Sequence, residues 1–282
     1  MDEQQTLTDR IDGAIDSGLE WLNDHGTEVF DAFRAVLDGV YEAIEWVLLA
    51  PPFFVTALLI GALGWRAVSP RFGVLAALGL ALCAVMGLWP ETMETLALVL
   101  AAGTLALLIA IPLGILAGFS PRLNGVLMPV LDMIQTLPPY IYLLPAVALI
   151  GFGPATALAA TVVVAIPPAL RLTALGIRLT PHNFIELGRA SGSSPAQMFV
   201  KIRLPFAMPS IMAGVNQCLM LAFGMVVIAG IVGSGGLGAT IYDAIRTLDI
   251  GKSIDAGLAI VILTIILDRI TEGAVKDKGE TR

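Results

Sequence analysis

The sequence predicts an all-α integral membrane protein that crosses the bilayer about seven times. Its 282 residues are 57% hydrophobic and 14% charged, whereas soluble domains run at about 45–50% apolar and about 25% charged. The apolar residues gather into runs close to the ~20 needed to cross hydrocarbon, at roughly 47–65, 72–89, 94–119, 126–150, 154–175, 207–232 and 253–271. Lys and Arg fall in alternate connections between those runs, the asymmetry that orients helices in a membrane.

Residues 1–46 read as an acidic tail. Residues 1–47 carry twelve Asp or Glu against Arg10 and Arg34, a balance of −10; the whole chain is −7, which leaves +3 for the remainder. This start lacks a basic segment followed by a short apolar core, so no cleavable signal peptide is expected and the first run serves as its own insertion signal. Val29, Phe33, Val36, Leu37, Val40, Ile44 and Val47 recur at helical spacing with Asp31, Asp38, Glu42 and Glu45 opposite, which predicts an amphipathic helix over 28–47. Its polar face is anionic and anionic lipid would repel it. The helix is either a solvated lead-in or packs on the protein or another subunit.

The runs within 47–89 are read as accessory N-terminal spans, 90–272 as the membrane core with a polar loop at 180–206, and 273–282 as a short tail. The 94–119 run exceeds the ~30 Å hydrocarbon core, so it tilts or projects. The 126–150 run holds Pro138, Pro139 and Pro145; each removes a helix hydrogen bond, so this span is bent or broken. Arg66, Arg71, Arg122, the cluster Arg171, Arg178, Arg189, Lys201 and Arg203, and then Lys276, Lys278 and Arg282 map to one side. The acidic start, Glu91, Glu94, the turn at 151–154 and a mixed loop at 233–252 map to the other. Positive residues collect on the cytoplasmic side, which predicts an outside N-terminus and a cytoplasmic C-terminus in a bacterial inner membrane.

Several chemistries find no support. GSGGLG at 233–238 has the G-x-G-x-x-G spacing, but that fingerprint needs a strand before it and here it follows a membrane run. Gly251, Lys252 and Ser253 end like a P-loop, yet Arg246 stands where the earlier glycine belongs, so no phosphate cradle is encoded. Cys83 and Cys218 both lie in apolar runs, where buried thiols are expected rather than a disulfide or metal site. His25 and His182, the sole histidines, form no hydrolytic constellation. The chain is therefore not expected to be an enzyme, to hold a cofactor or metal, or to bind nucleic acid.

The stretch ELGRASGSSPAQMFVKIRLP, residues 186–205, is polar and Gly/Ser-rich where a span would be apolar. Ser194, Pro195 and Gln197 make a capping box with proline at the first helical position, so a helix starts there and runs through Met198, Phe199 and Ile202 until Pro205 and Pro209 disturb it. Ahead of it, Phe184, Ile185, Leu187 and Ala190 alternate with Glu186 and Arg189 on a short segment that Gly192 ends. The small residues Gly188, Ala190 and Ser191 give that segment a low surface suited to docking another protein.

Glu186, Gly192 six positions on, then Ile202, Leu204 and Pro205 resemble the EAA signature E-A-A-x3-G-x9-I-x-L-P of ABC importer permeases, with Leu187 and Gly188 standing where the alanines belong. QTLPPYIYLLPAVALIGFG (135–153), AIPPALRLTALGI (165–177) and NQCLMLAFGMVVIAGIVGSGGLG (216–238) extend the resemblance to the permease subunits of proline/glycine betaine importers. It covers about residues 90–271. It implies a type I ABC importer transmembrane domain with a five-helix core and extra N-terminal spans. It also implies a homodimer forming the pore in membrane lipid, an extracytoplasmic binding protein that delivers solute, and cytoplasmic ABC ATPase subunits that bind ATP and Mg and grip the loop. Glu186, Leu187, Gly188, Arg189 and Ala190 would then serve docking, Gly192 the turn, and Ile202, Leu204 and Pro205 the link to the next span.

Polar groups inside spans mark a candidate path, since a charge at mid-bilayer costs roughly 2.5–3.5 kcal/mol on insertion scales. They are Asp132, Gln135, Thr136, Asn216 and Gln217, with Tyr140 beside them. Asp132 is either a solute contact or the structural partner of an arginine such as Arg171 or Arg122; Asn216 and Gln217 line the pore or bond a neighbouring helix. Tyr140, Tyr142, Phe152 and Phe223 are too scattered to read as an aromatic cage, so only a weak solute site is expected in the permease. An ABC permease for methionine or another small solute is the nearest alternative. An ion-coupled secondary transporter would need buried charges and a second, inverted broken helix, and a membrane enzyme would need convergent acid, base or metal ligands.

Overall fold

The computed structural model describes residues 2–276, all of whose regular elements are helical; positions 277–282, with Lys278 and Arg282 of the expected cytoplasmic tail, lie outside the described residues. Helix α1 spans Asp2–Leu49, about 72 Å at 1.5 Å per residue. Its C-terminal part meets the bundle: Leu37 and Tyr41 are buried, with Val40, Ile44 and Leu48 packed beside them. Val29 and Phe33, expected on the same apolar face, are exposed N-terminal to the packed stretch, and Val36 and Val47 are exposed because they lie roughly 80–100° around the helix from the packed Leu37, Tyr41, Ile44 and Leu48.

The first apolar run is not one span starting at 47. The chain turns by 99° between α1 and α2, Phe53–Ala67. Pro51 and Pro52 have no N–H to continue a helix, and the Thr56 hydroxyl donates to the Leu48 carbonyl across the corner (3.1 Å). Helix α3, Pro70–Val85, follows from a Ser69 cap. At 15 and 16 residues, α2 and α3 are about 22–24 Å long, short of the ~30 Å hydrocarbon core. Among the described residues, four helices are long and apolar enough to cross a membrane, or up to six if each of two bent pairs counts as one span. The estimate of about seven rests on adding short α3 to these.

Helix α4, Trp89–Phe119, is the long third span. Helix α5, Pro121–Thr136, breaks at Pro138; a 3-10 turn at Pro139–Tyr142 leads into α6, Leu143–Ile150, bent by 105° from α5. The Tyr142 hydroxyl donates to the Ile134 carbonyl (2.9 Å) and so satisfies a group freed by the break. Helix α7, Pro154–Arg178, stays continuous through Pro167 and Pro168. Next come α8, His182–Ala190, α9, Pro195–Met198, and α10, Leu204–Ala229. The segment 233–252, expected as a mixed loop, instead holds α11, Gly236–Thr247, whose Leu237, Thr240 and Ala244 face inward at helical spacing. Helix α12, Ile250–Lys276, is the last described helix.

Helices α4, α7 and α10 form the centre. Ala106, Ala110, Ala165 and Ala169 are wholly or almost wholly buried there with Cys218. Lipid tails are as apolar as leucine, so helix contact in a membrane relies on close packing of small residues. A Cβ at Gly114 would lie 2.7 Å from the Leu170 carbonyl oxygen, and one at Gly176 would lie 3.0 Å from that of Ala207. Both cysteines are free and buried. Gly114→Val is expected to part α4 from α7 at a cost of about 1–3 kcal/mol. Gly224→Ala, where an added Cβ meets nothing within 4 Å, should be near neutral. Thermal unfolding of the two purified variants compares them directly.

Candidate functional site

The 186–205 stretch folds as a capped helical elbow. Helix α8 ends in a Schellman turn: Ser193 N–H donates to the Gly188 carbonyl and Gly192 N–H to that of Arg189, both at 3.0 Å. Gly192 sits at φ +69°, a left-handed conformation that costs a residue with a Cβ roughly 1–2 kcal/mol. The Ser194–Gln197 capping box then starts α9 with both of its reciprocal hydrogen bonds formed.

Pro205 and Pro209 do not end the helix that α9 begins. A π-helical turn at Phe199–Arg203 joins α9 to α10, and 195–232 forms one continuous rod of 38 residues. Leu204 N–H reaches back to the Phe199 carbonyl. This wider turn resets the hydrogen-bond register just ahead of Pro205, which has no N–H to offer.

The elbow is locked by contacts that sequence reasoning missed. Phe184 of α8 meets Phe206 of α10 at 4.8 Å between ring centroids. Phe119 at the end of α4 meets Phe199 at 5.9 Å, and the Arg203 guanidinium lies 4.7 Å over the same Phe119 ring. Gly188, expected on the docking surface, is buried; a Cβ there would crowd Met198 and Ile202. Ile202 and Leu204 are half-buried, Leu204 against Ile177, Ala207 and Ile211, while Pro205 is exposed. Glu186, Leu187, Arg189, Ala190 and Gly192 are exposed, and Glu186 pairs with His182 at 3.2 Å.

The candidate path residues divide into two groups. Asp132, Gln135, Thr136 and Tyr140 are exposed together at the end of α5 and its break; Asp132 pairs with Arg171 of α7 at 2.7 Å, and the Thr136 hydroxyl turns back to the Met133 carbonyl. Asn216 is half-buried on α10 with its Oδ1 unpartnered, and Gln217 is exposed. The 3-10 turn after Pro138 packs on α10.

At the opposite end of the bundle, α1 and α4 supply helix caps that the local sequence lacks. Helices α7 and α11 start after Gly153 and Gly235, neither of which has a side chain to cap them. Asp38 accepts from Ala155 N–H at 3.0 Å, Glu94 from Gly236 N–H at 2.6 Å and Thr95 from Leu237 N–H at 2.8 Å. Arg34 donates to the Ile150 and Phe152 carbonyls at the end of α6. These bonds satisfy terminal groups and place charges favourably on the helix dipoles. The glycine caps are the one sequence signal that an outside acceptor is needed.

Residues 110–276 match the family described as "Binding-protein-dependent transport system inner membrane component". The chain is 40% identical over 267 residues, covering 95% of its own length and 75% of the relative's, to the glycine betaine/proline betaine transport system permease protein ProW of Escherichia coli (strain K12). It is 36% identical over 268 residues, 95% of both chains, to the glycine betaine transport system permease protein OpuAB of Bacillus subtilis (strain 168). A chain of the MetNI methionine ABC transporter, in inward-facing conformations, superposes with a TM-score of 0.59 at 24% identity, covering 65% of this chain and 92% of that one. That likeness shows the fold alone.

Near the α1 cap, Glu45 is held above the usual carboxylate range, first by burial and then by Glu94, with Glu42 adding to it against a lowering bond from Tyr41. The Tyr41 hydroxyl is itself pushed up by burial and by Glu45. The folded form then binds the Glu45 proton more tightly than the unfolded chain, so stability falls as pH rises from about 4.3 through the raised value. Glu45→Gln is expected to remove that slope and to raise stability on its alkaline side. Thermal unfolding of both proteins across this pH range checks it.

Proposed function

The chain belongs to the family of binding-protein-dependent transport system inner membrane components, and from that premise we propose that it forms the pore of an ATP-driven importer for betaine- and choline-like solutes. It is a multi-pass inner-membrane protein with the type I ABC importer fold. Relatives named for glycine betaine, for carnitine and for choline support the solute class. Methionine is not favoured, because the MetNI likeness carries fold and not substrate.

The observation that carries the reading is the elbow fused to α10 by an unbroken helix. In this reading its exposed side, with Glu186, Leu187, Arg189, Ala190 and Gly192, docks on a separate cytoplasmic ATPase that holds ATP and Mg. Closure of two ATPase subunits then pushes α8. The push passes through Phe184–Phe206 and Gly188–Ile202 into α10, and through Phe119–Phe199 into α4. A second copy of the chain completes the pore, and a binding protein meets the end that bears α1. The elbow end is cytoplasmic, in keeping with its Arg189, Lys201 and Arg203, and the α1 end faces outward.

Reconstituted with its ATPase and binding protein, the chain is expected to accumulate labelled glycine betaine only with ATP inside. Uptake that persists without ATP and collapses with the proton gradient would sink the reading. Gly192→Val should still assemble but hydrolyse ATP with little uptake, whereas Gly192→Asn, which tolerates the left-handed turn, should retain most transport. The ratio of ATP hydrolysed to betaine moved measures both.

A further inference from the structure

The Asp132–Arg171 ion pair joins two membrane helices, whereas Arg34–Asp38, His182–Glu186 and Arg269–Glu272 each lie within one helix. It sits deep. Leu131 and Leu170, the chain neighbours of the pair, are buried in one cluster with Ala106, Ala110, Ala165, Ala169 and Cys218 at the middle of the bundle. Arg171 is about 25 Å along α7 from its start and about 10 Å from its end. Yet the side chains of Arg171 and Asp132 are 38% and 61% exposed on the face of the single chain. Lipid against two such charges is costly, so this face meets water or a second copy rather than hydrocarbon.

The pair also has capacity to spare. Arg171 donates through one terminal nitrogen to Asp132 Oδ1, while its Nε is buried and unpartnered. Gln135 and Thr136 lie exposed about one turn on from Asp132 along α5, and Tyr140 is exposed in the 3-10 turn past the break. A guanidinium takes a carboxylate through parallel hydrogen bonds. A quaternary ammonium, having no N–H, is held by charge and by aromatic faces.

Building on the import reading above, we propose that Asp132 and Arg171 form a gate that reads zwitterionic quaternary ammonium solutes in passage. The solute carboxylate takes the Arg171 guanidinium while its ammonium lies against Asp132, so the pair opens around the solute and re-forms behind it. The solute's two charged contacts are made at the expense of the Asp132–Arg171 bond the protein already has, and net binding is therefore weak and release fast. A cation without a carboxylate engages one half of the gate only.

A double-mutant cycle tests the gate, with labelled glycine betaine as probe and the complete transporter in proteoliposomes. Asp132→Asn and Arg171→Gln should each lower uptake by about tenfold or more. The double variant should recover nothing, and Arg171→Lys should keep more uptake than Arg171→Gln. If the pair is only structural, the neutral double variant removes the stranded charge and returns to within about twofold of wild type; that result overturns the proposal. So does a single variant with wild-type uptake, or a double variant that no longer assembles with the ATPase by size-exclusion chromatography. Wild type that accumulates no betaine overturns the import reading and this inference together, which separates the two failures.

Discussion

Close contact between α4, α7 and α10 is the constraint on which the rest depends. Helices in lipid gain little from hiding apolar side chains, so they hold together only where backbones approach closely. Gly114, Gly118, Gly176 and Gly214 stand where a Cβ would strike a neighbouring helix, and alanines fill the space between them. A centre of this kind has few soft side chains to absorb displacement. A force applied to one end of α10 is then shared with α7 and α4 rather than dissipated.

That rigidity gives the elbow its mechanical meaning. Two prolines at the start of a membrane helix would ordinarily mark a hinge, and under the proposed function a hinge between the elbow and its span would waste an ATPase's push. The π turn at Phe199–Arg203 removes the hinge by moving the register before Pro205. The aromatic contacts of Phe184, Phe206, Phe119 and Phe199 brace the same joint from two sides. Gly192 confines the sharp change of direction to the turn between α8 and α9, where no span has to bend.

The other end is tied by polar bonds, because its helix termini leave N–H and carbonyl groups that water or protein must satisfy. Asp38 and Arg34 bridge α1 to the junction of α6 and α7, and Glu94 and Thr95 tie α4 to the start of α11. The acidity of the N-terminal helix thus has a structural use near its C-terminal end. Beyond Phe33 toward the N-terminus, Trp21, Leu22 and Val29 are exposed.

The sequence by itself determined the membrane class, the broken fifth helix, the order of apolar runs and the capped elbow, because composition, proline content and capping chemistry act over a few neighbouring residues. It also raised the Asp132–Arg171 pairing as one of two options, since Asp132 lies only about two turns into its apolar run, where a structural arginine partner is as natural as a solute contact. Tertiary structure alone decided which arginine answers, that Gly188 turns inward against Met198 and Ile202, and that the prolines at 205 and 209 leave the rod unbroken. It alone revealed α11 within the 233–252 loop as a packed helix, the corner at Pro51–Pro52 that shortens α2, and the caps lent to α7 and α11 from across the bundle. The caps and the ion pair join groups far apart in the chain, 142 positions for the Glu94 cap and 39 for Asp132–Arg171, and local spacing carries no record of who will be near whom once the helices have packed.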